Sequence, residues 1–393
     1  MLTGKFMGEI LSGHLSRRHF LLQPIVAFAV PGFILGTKQQ PAGEILIGEY
    51  GPLTGSTASF GISTKNGIDL AADAANKAGG VLGKRIRIIV EDDQGRAQEA
   101  QRVVAKLITQ DRVIAVLGEV SSSNTLAAAP IAQQNRIPMI SPSATNARLT
   151  QVGDYIFRGC FLDPFHGSAM AKFAVGTLKA TNAAILRDST SDYSVGLANA
   201  FTESFKNLGG NVVLDEFYRA RDTEFTTQLS RIKSANPDVI YVPGYYTEAG
   251  LIAIQAKGLG LTASILGGDG WDSPKLISIG GDSLNGSYYS NHYSLENARP
   301  ENQNFVAKYR ESYRQDPDVL AAMAFDSANL LFDAIRRANS TAPSLIRTAL
   351  AETKDFQGIT GPITLDKDRN AVKPAVVLQV KDGKIVFVEA VAP

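Results

Sequence analysis

The chain has 393 residues, beyond the usual single-domain size, so two domains are expected. With 44% hydrophobic and 20% charged residues and a formal charge of +1, it reads as an ordinary globular protein, and without a basic stripe it has no electrostatic footprint for nucleic acid. Cys160 is the only cysteine and only His166 and His292 follow the leader, so no intramolecular disulfide, no metal site and no cofactor is expected.

Residues 1–43 read as an export signal and linker. Ser16-Arg17-Arg18-His19-Phe20-Leu21-Leu22 precedes an apolar stretch running to about Leu35, a charged head before a short hydrophobic core. The paired arginines before Phe and Leu resemble the twin-arginine signal, which implies a periplasmic destination. From Glu44 onward, strand-like and helix-like segments alternate with short turns, the pattern of parallel α/β sheets. A strand over 44–49 is followed by a helix over 61–77, a glycine turn at 78–83, a strand over 85–91 and a helix over 97–110. The apolar run 113–118 and the shorter run 137–140 are read as buried strands flanking a helix over 125–134. A second series places helices at 165–178, 195–208, 225–234 and 248–257 among strands at 183–187, 212–217, 239–242 and 265–266. The chain then turns helical at 302–313 and 319–338, and ends in a hairpin of 375–380 and 384–388 joined at Asp382-Gly383.

Chemistry-bearing residues collect beyond the predicted strand ends. Ser121-Ser122-Ser123 follows the first apolar run, and Ser141-Pro142-Ser143-Ala144-Thr145 follows the second. Strand C-termini and helix N-termini offer hydroxyls and free amides together, which suits a carboxylate or phosphate; each serine is equally explained as a helix N-cap. The second series sets Tyr193, Tyr245 and Asp269 at equivalent places, with Asp269 in a glycine turn that lets backbone approach a ligand. Anion receptors on one side and a carboxylate on the other would suit a zwitterion. Enzyme signatures are missing: there is no G-x-S-x-G, and Gly79 to Lys84 is a P-loop near-miss followed by a strand. Asp92-Asp93 is expected in a solvated turn. An exported hydrolase would need a base for its serine, and neither His166 nor His292 lies at a predicted strand end.

Several of these segments together resemble the type I periplasmic binding proteins of ABC importers, in particular the branched-chain amino acid (Leu/Ile/Val) binding group. They are Gly51-Pro52-Leu53-Thr54-Gly55, Phe60-Gly61, Ala78-Gly79-Gly80, Asp92-Asp93, Gly118 to Ser123, Ser141 to Thr145, Tyr155-Ile156-Phe157-Arg158 and Asn236-Pro237-Asp238. The resemblance implies an α/β fold of two Rossmann-like lobes joined by three hinge crossovers, with the ligand in the cleft. Lobe 1 would be 44–161 plus 292–365, and lobe 2 162–291 plus 366–393. It also implies site roles. Ser122 and the Thr145 amide would hold a ligand carboxylate with Tyr245 opposite, Asp269 would take the ammonium with Ser143 and Thr145, and Phe60, Val120, Ser121 and Tyr193 would line the side-chain pocket beside Ala144. The family's leucine binders carry Tyr near Phe60, Glu near Asp269, and a disulfide between positions that here read Gly95 and Ser121. The expected function is capture of an amino acid, branched-chain or otherwise apolar, for an inner-membrane ABC permease, by a monomer that is not an enzyme. The alternative is a binder or sensor of amides, urea or aromatic acids on the same fold.

Overall fold

The computed structural model describes residues 43–392; the export leader expected at 1–43 lies almost entirely outside them. β1 (Glu44–Gly51) is buried along nearly its whole length, as a central parallel strand must be when helices cover both faces. It is followed by α1 (Ala58–Lys77), β2 (Arg85–Asp92), α2 (Ala97–Thr109), β3 (Val116–Leu117), α3 (Ser122–Gln134), β4 (Met139–Ser141) and β5 (Ile156–Arg158). The five strands pair in parallel in the order β2-β1-β3-β4-β5. The turn between α1 and β2 closes as expected. Gly80 sits there at φ +81, and a Cβ on it would come within 2.1 Å of the Lys84 carbonyl.

The chain then crosses to a second sheet. α4 (Asp163–Gly176), β6 (Asn182–Asp188), α5 (Asp192–Asn207), β7 (Asn211–Tyr218), α6 (Thr226–Ala235), β8 (Val239–Tyr241), α7 (Tyr246–Gly258), β9 (Ser264–Gly267), α8 (Pro274–Gly280) and β10 (Tyr288–Asn291) continue the alternation. It returns through α9 (Pro300–Tyr313), α10 (Val319–Ala338), α11 (Pro343–Ala351) and a small antiparallel sheet of β11 (Phe356–Gly358), β12 (Gly361–Leu365) and β13 (Ala371–Val372). The hairpin β14 (Ala375–Lys381) and β15 (Lys384–Val391) then completes the second sheet, ordered β15-β14-β10-β9-β8-β6-β7.

β13 pairs with β12, so the small sheet holds the chain to Val372, and the second sheet begins again at Ala375. No strand is expected over 288–291, where β10 pairs with both β9 and β14.

α10 is the most deeply buried of the returning helices. Leu330, Leu331 and Ile335 pack with Ile45, Ile47 and Ile68 beneath the first sheet, and Leu320 at its start joins a core shared with Phe60, Val120 and Tyr246. Apolar packing is therefore continuous across the cleft. Polar contacts also cross it: the Asp192 amide donates to Ser123 Oγ at 2.9 Å, the Tyr246 hydroxyl to the Ser56 carbonyl at 2.8 Å, and the Ser59 and Ser273 hydroxyls meet at 2.9 Å. No helix among the described residues is long and apolar enough to cross a membrane.

Candidate functional site

Both hydroxyl clusters emerge from the first sheet, at the C-terminal ends of β3 and β4. Ser121 occupies the N-cap position of α3 but makes no capping bond. Its amide and hydroxyl both donate to the buried Glu119 carboxyl, at 2.5 and 2.7 Å, where the Asn124 amide joins at 3.0 Å. Ser122 begins α3, so the unpaired first-turn amides of that helix lie beside its hydroxyl. Ser122 Oγ accepts from the Asn146 amide at 3.2 Å and so ties the two strand ends together.

The 141–146 loop is held from beneath. Arg158, fully buried on β5, donates to the carbonyls of Ala144 and Asn146 at 2.7 Å each, and Ser141 Oγ accepts from the Ala144 amide at 2.9 Å. Ser143 Oγ donates to the Val120 carbonyl at 3.3 Å. Thr145 is fully buried and its hydroxyl meets no partner at hydrogen-bond geometry among the described residues, the Asp163 carboxyl being the group it acts on. A buried hydroxyl without a partner costs free energy until something bonds to it.

From the second sheet, Asp269 lies just beyond β9 and is 5% exposed. Tyr193, on the first turn of α5, donates its hydroxyl to Asp269 Oδ1 at 2.8 Å and accepts from the Gly270 amide at 3.1 Å. His292 approaches Oδ2 with Nε2 at 3.0 Å; because an ionised carboxylate only accepts, that nitrogen carries the proton. His166 Nδ1 stands 3.6 Å from Oδ1. Burial alone would raise the Asp269 carboxyl, but the two imidazoles and the Tyr193 hydroxyl outweigh it and hold the group below its usual range. Burial also drives His292 down to about 4 and pushes His166 downward, against the pull of Asp269.

A narrow recess separates the two sides, lined by Phe60, Val120, Ser143, Tyr193, Tyr245, Asp269, Gly270 and Leu320. Tyr245 stacks on Tyr193 with ring centres 5.3 Å apart and meets the edge of Phe60 at 5.5 Å. The recess holds about 20 Å³ of free space, room for about one water molecule. It adjoins, through Tyr245, an outer cavity of about 300 Å³ lined by polar groups including Ser121, Asn124, Asp188, Tyr218 and Glu248.

Six of the ten residues singled out in sequence line the recess. Ser122, at the start of α3, and Ala144 and Thr145, in the 141–146 loop, do not line it. Ser121 differs from expectation: it faces the outer cavity and spends its hydroxyl on Glu119. Tyr193 differs too, because its hydroxyl belongs to the Asp269 cluster as well as to the pocket wall. Asp93, expected in a solvated turn, is fully buried, and burial raises its carboxyl to about 6. Its neighbour Asp92 clamps the loop after β1, accepting from the Leu53 and Gln94 amides.

Sequence reasoning missed His166, His292, Gly270 and Leu320. His292 directly follows β10, and the run Ser287-Tyr288-Tyr289-Ser290-Asn291 after Gly286 carried a strand signal that would have placed it at a strand end. Neither imidazole bonds a serine hydroxyl among the described residues, so the pair does not complete a nucleophile–base couple. No local signal marks His166 or Leu320, which reach the site by helix packing.

A family model described as periplasmic binding protein matches residues 44–384. Leu/Ile/Val-binding protein homolog 2 of Brucella abortus is 30% identical over 343 residues, 87% of this chain and 91% of that protein. Among solved structures, the leucine binding protein LivK of Thermotoga maritima superposes with a TM-score of 0.86 at 39% identity, covering 89% of this chain and 99% of its own. The branched-chain amino acid transporter substrate binding protein LivJ of Streptococcus pneumoniae, in complex with isoleucine, gives 0.85 at 37%, covering 89% and 100%.

Proposed function

This chain belongs to the periplasmic binding proteins, and from that membership we propose that it is the solute-capturing component of an ABC importer for an α-amino acid with a branched or otherwise apolar side chain. The observation that carries the reading is Asp269: a buried carboxyl held below its usual range, with no Lys or Arg bonded to it among the described residues, in the wall of a recess that Phe60, Val120 and Leu320 also line. Two imidazoles and a tyrosine hydroxyl orient it, and a ligand ammonium would complete its surroundings.

In this reading the ligand carboxylate lies against Ser122, the first-turn amides of α3 and Thr145, where helix N-terminal partial charge favours an anion. Tyr245 closes from the opposite lobe. The lobes, about 44–161 with 292–372 and 162–291 with 375–393, part and close around the ligand, and closure excludes water and strengthens each polar contact. The closed form is then read by an inner-membrane permease. Export by the twin-arginine route, a periplasmic site of action, a monomeric state and the lack of catalysis complete the proposal. Relatives whose names specify leucine, isoleucine and valine support the ligand class.

A thermal-shift screen tests it. Isoleucine, leucine or valine at 100 times the dissociation constant should add about 2.7 kcal/mol of stability. Stabilisation only by aromatic acids, amides or urea would replace the amino acid with the alternative ligand class.

A further inference from the structure

Asp269, His292 and His166 come from three separate elements: the turn after β9, the end of β10 and the first half of α4. One ligating atom from each falls within 4.8 Å of the other two. Both imidazoles are fully buried, neither nitrogen of His166 has a hydrogen-bond partner, and neither does Nδ1 of His292. Unpaired ring nitrogens in a dry wall are costly, and His166 Nδ1, which faces Asp269, is one of them.

The His166 spacing is informative. At 3.6 Å from Oδ1, Nδ1 is too far for a hydrogen bond. The Ser290 backbone favours a proton on the His166 ring; with that proton on Nε2, the Nδ1 lone pair faces a carboxylate and is repelled unless a cation lies between them. Bonds of about 2.0–2.1 Å at tetrahedral angles set neighbouring ligand atoms roughly 3.3 Å apart. The observed contacts, 3.0 Å from His292 Nε2 to Oδ2 and 3.6 Å from His166 Nδ1 to Oδ1, lie either side of that value but reach different carboxylate oxygens, so one ion would engage both oxygens of Asp269 together with the two imidazoles.

From this geometry we infer that His166, Asp269 and His292 form a binding site for a divalent transition-metal ion of the zinc class, through His166 Nδ1, His292 Nε2 and the Asp269 carboxylate, the ion replacing the Nε2 proton of His292, which moves to the unpartnered Nδ1. Two imidazoles with one carboxylate suit zinc, cobalt, nickel or copper and disfavour calcium and magnesium, which take oxygen ligands. The composition argument against a histidine-based site fails because it counts histidines without knowing which carboxylate they meet. A dication and an ammonium cannot share one carboxylate, so the metal competes with the amino acid; that consequence, unlike the site itself, rests on the amino-acid reading.

The test uses the full untagged chain after dialysis against chelator. Titration with zinc in the absence of any amino acid should show one equivalent bound at micromolar concentration, and cobalt should give the visible absorption of an imidazole-bound tetrahedral ion. His166→Gln and His292→Gln, each checked for unchanged circular dichroism, should weaken zinc at least tenfold and abolish the cobalt band. Absence of the band in the unmodified chain, or zinc binding unaffected by both substitutions, overturns the proposal, and the wild-type spectrum decides it even if a variant misfolds. Isoleucine should displace cobalt. Isoleucine binding without any metal binding would sink the metal site and leave the amino-acid reading standing; metal binding without any amino acid would do the reverse.

Discussion

Asp269 concentrates the chemistry of the site in one side chain. Against full burial, the groups that touch it hold its carboxyl below the usual range: His166 at 3.6 Å, His292 at 3.0 Å and Tyr193 at 2.8 Å. Replacing it by Asn keeps the shape and removes the charge. Asp269→Asn should weaken amino-acid binding by about 2–5 kcal/mol, the range for losing one partner of a buried charge pair, and a calorimetric loss under tenfold would remove Asp269 as the ammonium receptor. At this scale the sequence was legible where residues sat beside turn chemistry. Asp269 stood out in its Gly267-Gly268-Asp269-Gly270 turn, and Tyr245 and the serines stood out at strand ends. The partners that give Asp269 its charge were not legible, because His166 and His292 are more than 100 residues apart in sequence and meet only through tertiary packing. Ser121 misled for a related reason: a serine at an N-cap position is expected to cap, but a buried acceptor, Glu119, took its hydroxyl first.

Among the elements, strand ends do the positioning. The tight turn after β9 brings Asp269 into the cleft, and Gly270 makes room: a Cβ there would lie 2.7 Å from the Gly244 carbonyl, 2.9 Å from the Tyr245 ring and 3.1 Å from the Tyr193 ring. Gly270→Ala must therefore push apart the two stacked tyrosines or the β8 and β9 turns. Overpacking of this kind costs about 1–3 kcal/mol. The variant should melt earlier and bind ligand more weakly than the unmodified protein; unchanged affinity would mean that the Tyr193–Tyr245 stack is not part of the receptor. Most elements were legible from periodicity, with α10 matching its expected bounds at Val319–Ala338. β10 escaped because four residues with two tyrosines and two polar groups present no apolar run, although both its neighbours pair with it. The small sheet β11 to β13 escaped because its strands are two to five residues long, too short for any alternation to register.

For the whole molecule, burial stores protons as well as apolar surface. Glu49 is raised from 4.5 to about 8, and Asp163 and Asp318 to about 7, chiefly by desolvation. A carboxyl with a raised folded pKa holds more protons folded than unfolded, so its contribution to stability is complete below about pH 4 and fades as pH rises through 7–8. His292, lowered to about 4, acts in the opposite sense: its contribution is present above about 6.5 and is lost as pH falls toward 4. Thermal stability should peak in mild acid and decline from pH 6 to 9, and Glu49→Gln should flatten that decline; an unchanged slope would mean that Glu49 is ionised in the fold. The two-sheet architecture and its returning C-terminal portion were legible from alternation and family motifs, whereas the individual contacts between the two sheets, such as Asp192 to Ser123 and Phe60 to Tyr245, were not. The central claim is that the cleft reads an α-ammonium with Asp269. Calorimetry comparing isoleucine with its des-amino counterpart, 3-methylpentanoate, tests it most directly: isoleucine should bind at least 100-fold more tightly, and equal affinity for the two would contradict it.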